Sequence, residues 1–512
     1  MVPGRPAAAP NCQFCDSGLT SLAPITWARQ CLVAPQPNPQ VVPIMPEARK
    51  FVGRPDADAI SAAIVELNPL FQSRLTVGAA ICQQHSNTLT WLASEPPDAV
   101  VWPTTTAEVS AAVHIAARHG VPVIPFGAGT SLEGHVNAPF GGISLDMSRM
   151  DAIVSLDARD FDCTVEAGVS RKKLNAYLRD TGLFFSVDPG AEEASLGGMA
   201  ATRASGTNAM RYGTMRDNVK SLTAVLADGR VIRTGGRAPK SAAGYDLTRL
   251  MIGSEGTLGI ITELTVKLHP MPEAQITAVA PFATLEGACE TAIEAIQSGL
   301  ALARVELLDE VQIRAVNAHS GLTLAEAPTL FIELHTSRQA GREQIAGVEA
   351  LARANGAKGF DWADSEDDRR RLWRARHNAY WAIKTLYAGR AILATDVCVP
   401  ISKLAACVSE TAADARRSGL IAPILGHVGD GNFHATPVFD ATDATEVAAL
   451  EGFLERLVAR ALSMDGTCTG EHGIGQGKIA ALAAELGPAV DVMRAIKRAL
   501  DPQGILNPGK IF

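Results

Sequence analysis

Val121 to His135 reads VPVIPFGAGTSLEGH, an apolar run of strand type that empties into a glycine-rich loop. A loop in that place puts backbone amides where they can meet phosphate oxygens. It is not a Rossmann fingerprint. Gly127 and Gly129 are followed by Leu132 where a third glycine would stand, and the chain continues into another strand, GGISLDM, rather than a helix. A nicotinamide dehydrogenase is thereby disfavoured. Alone, the loop is balanced between a structural turn and a phosphate cradle. A second stretch of small residues, PGAEEASLGGMAATRASGTNAMRYG from Pro189 to Gly213, tips that balance. Small side chains let backbone approach a long flat ligand, so the pair suggests an extended dinucleotide with its diphosphate on the first stretch and its ring system near the second.

Around these stretches the pattern is mixed. VVWPTTTAEVSAAVHIAARHG predicts a strand ending at Pro103, a capping box of Thr105 with Glu108, and a helix stopped by Gly120. LADGRVIRTG predicts a hairpin on Asp228 and Gly229, and Ser254 to Thr257 a polar turn into the strand GIITELTVKL. Pro270 and Pro272 then place a boundary, giving one domain over 47–271 and a second over 272–512. Strand and helix signals alternate from 275 to 345. In WADSEDDRRRLWRARHNAYWAIKTL, Leu372, Trp373, Arg376, Tyr380 and Ile383 fall at helical spacing. Charge runs of this kind are usually solvated faces, but Arg376 shares the aromatic face. Pointing inward, it needs an anionic partner such as a substrate carboxylate. A single helix is expected over 478–500.

GHVGDGNFH, Gly426 to His434, predicts a hairpin closed by Gly429 to Asn432. In that register Val428 faces Phe433 and His427 faces His434, with Cβ atoms roughly 5 Å apart. Such a pair can grip one metal ion. GTCTGEHGIGQGK, Gly466 to Lys478, offers Glu471 among small residues as a third ligand. Successive side chains of an extended segment point to opposite faces, so His472 is left free to act as a base. Two imidazoles and one carboxylate suit Zn²⁺, Mn²⁺ or Fe²⁺ in an open site, with zinc or manganese preferred.

The 512 residues allow two or three domains, and 47% hydrophobic with 20% charged residues is ordinary for a folded globular chain. A net charge of −8 gives no reason to expect nucleic acid. No run approaches the ~18 apolar residues of a membrane span, which leaves only peripheral membrane contact. Nine scattered cysteines fit a reducing compartment, and the lone Cys12, Cys15 pair reads as incidental. Residues 1–46 hold nine of the 29 prolines and read as a flexible extension. Arg5 and Arg29 with one acidic residue before Glu47 suit a transit peptide, whereas the prolines oppose a targeting helix. The expected location is cytoplasmic, with membrane association allowed, or mitochondrial if the extension is a transit peptide.

PFGAGTSLEG, PGAEEASLGGMAATRASGTNAMRYGTMRDNV, LADGRVIRTG, IGSEGTLGIIT, WRARHNAYWA, TDVCVP, GHVGDGNFH, GTCTGEHGIGQGK and LDPQGILNPGK together resemble the FAD-linked D-2-hydroxy acid dehydrogenases, over roughly residues 60–512. The resemblance is strongest to the branch that oxidises D-lactate and passes electrons to a cytochrome. It implies an α+β fold: a two-subdomain FAD-binding domain of the vanillyl-alcohol oxidase type, then an α+β substrate domain on an antiparallel sheet, with the C-terminal tail returning to the flavin. It implies that Gly127, Ala128, Gly129, Thr130 and Ser131 hold the diphosphate. Pro189, Gly190, Ser195, Gly197, Gly198, Ala204, Ser205 and Gly206 would line the flavin, with Glu255, Ile260 and the tail residue Asn507 nearby. Thr130 stands where some relatives carry a flavin-linking histidine, so FAD is expected to be noncovalent. Metal ligands carry over to His427, His434 and Glu471, the base to His472 and carboxylate binding to Arg376. The 2-hydroxyglutarate branch has threonine and lysine where this chain has Tyr380 and Ala394, which favours a small monocarboxylate such as D-lactate. Glycolate, D-2-hydroxyglutarate or a bulkier D-2-hydroxy acid is the close alternative. A cytochrome c, a quinone or an electron-transfer flavoprotein could each reoxidise the flavin. More distant rivals are a metal-dependent hydrolase and a catalytically silent flavoprotein subunit.

Overall fold

The computed structural model describes residues 53–86, 90 and 92–512; the proline-rich extension and the Cys12, Cys15 pair lie outside them. Three main sheets carry the α+β fold. The first is ordered Leu75–Thr76, Ala99–Val101, Ile143–Asp146, Val123–Phe126, and its last three strands are parallel. The second is antiparallel, ordered Ile153–Asp157, Asp162–Glu166, Ile260–Lys267, Val219–Val225, Val231–Gly235. The two share one hydrophobic core that runs from Ile60 to Leu268 and takes in Ile505 and Leu506 of the tail. Val123 N donates to Ile505 O at 2.8 Å and Asn507 N to Val123 O at 2.9 Å, so the tail lies along the strand that feeds the glycine loop.

The third sheet has seven antiparallel strands, ordered Asp361–Ala363, Ala274–Pro281, Thr329–Thr336, Leu302–Leu308, Ile424–Gly426, Asn432–Ala435, Val397–Cys398. Side chains alternate across its faces, and each face has its own core. Val305, Leu307, Leu330 and Ile332 pack with residues of helices Leu285–Gln297, Arg338–Ala354 and Leu404–Arg417. Leu308, Phe331 and Leu425 pack with Trp373 and Ile383 of helices Glu366–His377 and Ala379–Leu386. Arg304 sits opposite Glu333, Glu306 opposite Phe331, Leu308 opposite Leu425 and Leu425 opposite His434. Register therefore sends Arg304, Glu306, Glu333 and His434 to the second face, under the helix that carries Arg376.

Four local expectations need correction. The strand before the first helix ends at Val101, not Pro103. Thr105 caps that helix by accepting from Glu108 N at 3.2 Å, but the Glu108 carboxylate takes Thr104 N at 2.7 Å and the Arg74 guanidinium instead, so the capping box is half made. The single helix over 478–500 is two, Ile479–Leu486 and Ala489–Leu500, because Gly487 adopts φ of 50° and Pro488 lacks an N–H to continue the ladder. The histidine hairpin forms with Leu425, not His427, opposite His434. Its strand stops at Gly426 and the loop is longer than the turn signal suggests. The register slips by two residues, and an even slip keeps every side chain on its face.

Candidate active site

A cavity of about 610 Å³ receives both small-residue stretches. Gly127, Ala128, Gly129, Thr130, Ser131, Pro189, Gly190, Ser195, Gly197, Gly198, Ala204, Ser205, Glu255, Ile260 and Asn507 all line it. The two stretches touch: a Cβ on Gly127 would collide with Ser195 Oγ, which caps helix Leu196–Thr202 by accepting from Gly198 N at 3.3 Å. Gly206 is the exception. It is absent from the lining, and its φ of 144° is imposed by close packing on the Asp188 backbone. Ser131 Oγ is buried with no hydrogen-bond partner, as expected of a hydroxyl reserved for a ligand. A long, largely apolar cavity with backbone from small residues and a vacant donor fits a dinucleotide such as FAD.

Glu255 lines the cavity but its carboxylate is engaged. It accepts from Ile474 N at 2.7 Å and Gly475 N at 2.8 Å, and His135 Nε2 lies 3.3 Å away. Burial alone would raise its pKa, but the neighbouring His135 and the two amides hold it below the usual carboxylate range. Glu255 thus fastens the loop after Glu471 and His472 to the polar turn 254–257. Asn507 Nδ2 adds bonds to His135 O and Glu255 O at 3.1 and 2.7 Å.

Arg376, His377, Tyr380, Trp381, Ala394, His427, His434, Glu471 and His472 line the same cavity. His427 Nε2 lies 3.2 Å and His434 Nε2 3.4 Å from Glu471 Oε1. One ligand atom from each residue falls within 4.8 Å of the others. Both Nδ1 atoms are turned away: His427 donates to Glu306 at 2.8 Å and His434 to Thr395 O at 2.8 Å. Such bonds fix the tautomer that leaves each Nε2 lone pair toward Glu471, the arrangement usual behind metal-ligating imidazoles. The three residues can hold one small divalent cation. Burial pulls His427 down, but Glu306 and Glu471 raise it well above its ordinary pKa, so the pocket favours positive charge at this point. His472 stacks on His434 with ring centroids 5.1 Å apart and planes 6° apart.

Arg376 does point inward, and part of its anionic demand is met within the protein. Its Nε and Nη2 donate to Glu306 Oε2 at 3.0 and 2.5 Å. Nη1 has no protein partner among the described residues. Burial would raise the Glu306 carboxyl, but His427 and Arg376 hold it below the carboxylate range. Sequence reasoning missed Glu306. It also missed Asp396, fully buried, which takes Thr469 Oγ1 at 2.7 Å and the amides of Glu471 and His472 at 2.9 Å each. A carboxylate inside the largely apolar run LARVELL was the available signal for Glu306.

Two family models match, one described as an FAD binding domain over residues 97–235 and one as the C-terminal domain of FAD linked oxidases over 271–511. "Probable D-lactate dehydrogenase, mitochondrial" of Danio rerio is 50% identical over 86% of this chain and 89% of its own. "D-lactate dehydrogenase [cytochrome], mitochondrial" of Arabidopsis thaliana is 47% identical over 81% and 73%. The solved structure of p-cresol methylhydroxylase with substrate bound shares the fold, with a TM-score of 0.74 at 17% identity over 89% of this chain and 97% of that one. The vanillyl-alcohol oxidase type of architecture, the FAD-binding domain and the curated relatives agree, and the chain belongs to the FAD-linked oxidases, in the D-2-hydroxy acid dehydrogenase group that includes the cytochrome-type D-lactate dehydrogenases.

Proposed function

We propose that this protein oxidises D-lactate to pyruvate with noncovalently bound FAD and one divalent metal, zinc or manganese. The observation that carries the substrate class is that Arg376 is the only lysine or arginine among the described residues lining the cavity. One fixed cation suits one carboxylate, and the positions that would serve a second carboxylate are Tyr380 and Ala394. The domain over 47–271 binds the cofactor and the domain over 272–512 brings the substrate groups to it.

Bound FAD supplies a two-electron acceptor, and a cation held by His427, His434 and Glu471 supplies Lewis acidity that makes the 2-hydroxyl easier to deprotonate. Arg376 orients the carboxylate through the donors that Glu306 leaves free. His472 takes the hydroxyl proton. Loss of the hydroxyl proton to His472, with the C2 hydrogen departing together with its bonding pair, turns C2 and oxygen into the carbonyl of the 2-oxo acid, and bound FAD would supply the acceptor for that electron pair. Holding carboxylate, hydroxyl and C2 hydrogen at three points selects one enantiomer, and the names of the relatives support D. His135 is turned to Glu255 and Thr130 cannot form a histidyl link, which supports noncovalent FAD. The name of the Arabidopsis thaliana relative supports a cytochrome acceptor, and the names of both relatives support a mitochondrial location. No helix among the described residues is long and apolar enough to cross a membrane.

The test is an anaerobic absorbance spectrum of the purified protein before and after D-lactate, with L-lactate, glycolate and D-2-hydroxyglutarate as controls, beside elemental analysis for metal. Bleaching by D-lactate with about one zinc or manganese per chain is the expected result. Bleaching by D-2-hydroxyglutarate in preference to D-lactate overturns the substrate assignment, and full activity in metal-free protein overturns the role of the cation.

A further inference from the structure

His472 Nδ1 is buried and has no hydrogen-bond partner. A base whose rear nitrogen is unpaired has nothing to fix its ring or its tautomer, and catalytic histidines are ordinarily oriented by a third group. Two carboxylates are near enough to serve. Asp396 is already heavily used: Thr469 Oγ1, Glu471 N and His472 N converge on its Oδ2 and Asn432 Nδ2 takes its Oδ1. Glu133 is not. Its Oε1 lies 3.7 Å from His472 Nδ1 and 3.3 Å from Lys478 Nζ, and its side chain is 12% exposed.

Glu133 belongs to the glycine loop of the first domain, and its backbone is tied to the loop that carries His472. Gln476 N donates to Glu133 O at 2.8 Å, and a Cβ at Gly475 or Gly477 would collide with Glu133. Its carboxylate is therefore delivered to the imidazole by a fixed main chain. Catalytic hydrogen bonds are often long in the unloaded site and tighten in the loaded one, and a 3.7 Å separation lies within reach of that tightening.

We propose that Glu133 is the positioning residue of His472: it accepts Nδ1–H, with Lys478 holding the carboxylate, and so presents the Nε2 lone pair to the substrate hydroxyl. The inference rests on His472 being the base. It gives the glycine loop a second task, that of setting the base on the facing loop.

The experiment is stopped-flow flavin reduction by D-lactate in FAD-loaded wild type, Glu133→Gln, Glu133→Asp, His472→Ala and the Glu133→Gln, His472→Ala double variant, with ¹⁵N imidazole spectra of the first three. Expected are a tenfold or greater fall in limiting rate for Glu133→Gln with little change in KM, partial rescue in Glu133→Asp, and no further loss in the double variant. The ¹⁵N signals of His472 should report Nδ1–H in wild type and Glu133→Asp and a tautomer mixture in Glu133→Gln. Should Glu133→Gln fail to hold FAD, the ¹⁵N comparison of wild type with Glu133→Asp and the Asp rate still decide. A wild-type rate in Glu133→Gln beside an inactive His472→Ala overturns this inference alone. Normal reduction by His472→Ala overturns the base assignment first, and a loss that adds fully to that of His472→Ala shows Glu133 acting elsewhere.

Discussion

Replacing Glu306 by Gln tests the electrostatics of the site at its least accessible point. The carboxylate is fully buried and accepts from two side chains at once, the Arg376 guanidinium through Nε and Nη2 and the His427 imidazole through Nδ1. Gln keeps the shape but removes the charge, and one of its two oxygens becomes an N–H₂ that meets donors. Removing one partner of a buried pair costs about 3–5 kcal/mol, because the remaining charge stays buried and unpaired. Burial leaves no solvent screening to discount that figure. A loss of this size is a large share of the ~5–15 kcal/mol by which folded domains are stable. The variant also removes the acceptor behind a proposed metal ligand, a change that typically lowers affinity by about 10–100-fold. Urea unfolding of FAD-loaded protein should show the stability loss, and titration of chelated protein with Zn²⁺ or Mn²⁺ the weaker affinity. KM for D-lactate should rise as Arg376 loses its anchor. Stability within about 1 kcal/mol of wild type, with metal affinity and KM unchanged, would refute the claim that Glu306 is the compensating charge.

Gly127→Ala puts a methyl group into Ser195 Oγ where the two cofactor stretches touch, so flavin content should fall and stability should drop by about 1–3 kcal/mol; a normal flavin-to-protein ratio counts against that contact. Tyr380→Thr with Ala394→Lys places a hydrogen-bonding group and a cation in the cavity wall, and kcat/KM for D-2-hydroxyglutarate relative to D-lactate should rise about 10–100-fold, the equivalent of one charge-assisted hydrogen bond. Lys510 is buried among Asn137 O, Asn507 Oδ1 and Pro508 O, and burial lowers its pKa from 10.5 to about 8. Between pH 8 and 10.5 the unfolded chain binds the extra proton, so this group makes stability rise with pH in that window and contributes no slope below it. The gain is on the order of 3 kcal/mol, and the slope should vanish in Lys510→Met; parallel unfolding curves for both proteins at pH 7.5 and 10 would show that Lys510 is not the titrating group.

What could be read from the sequence follows the range of the interaction. Gly429 to Asn432 announce a turn because turn chemistry is local, whereas the alternation expected of an extended segment does not apply at Glu471 and His472, which lie in a bend. Hairpin register depends on where the strand gives way to loop, which the apolar pattern does not mark, and the pairing slipped by two residues; the even slip is why both imidazoles still meet Glu471. The helix break at Gly487 and Pro488 is a local signal that was available and outweighed by periodicity. Glu306 is of another kind. Its partners lie 70 and 121 residues further along the chain, and in isolation a glutamate in a strand reads as a solvent face. Arg376, placed inward by its aromatic neighbours, already required an anion, and a substrate carboxylate that comes and goes cannot compensate a guanidinium in the free enzyme. A permanent carboxylate had to exist in a buried element, and LARVELL and TLFIELH are two largely apolar strand patterns that contain one. The structure uses both on the same face of the third sheet, Glu306 for Arg376 and His427, Glu333 for Arg304, Arg369 and His335. Charge balance across a buried face is thus a long-range rule that sequence can enforce: each inward arginine on the helix implies an anion on the sheet beneath it.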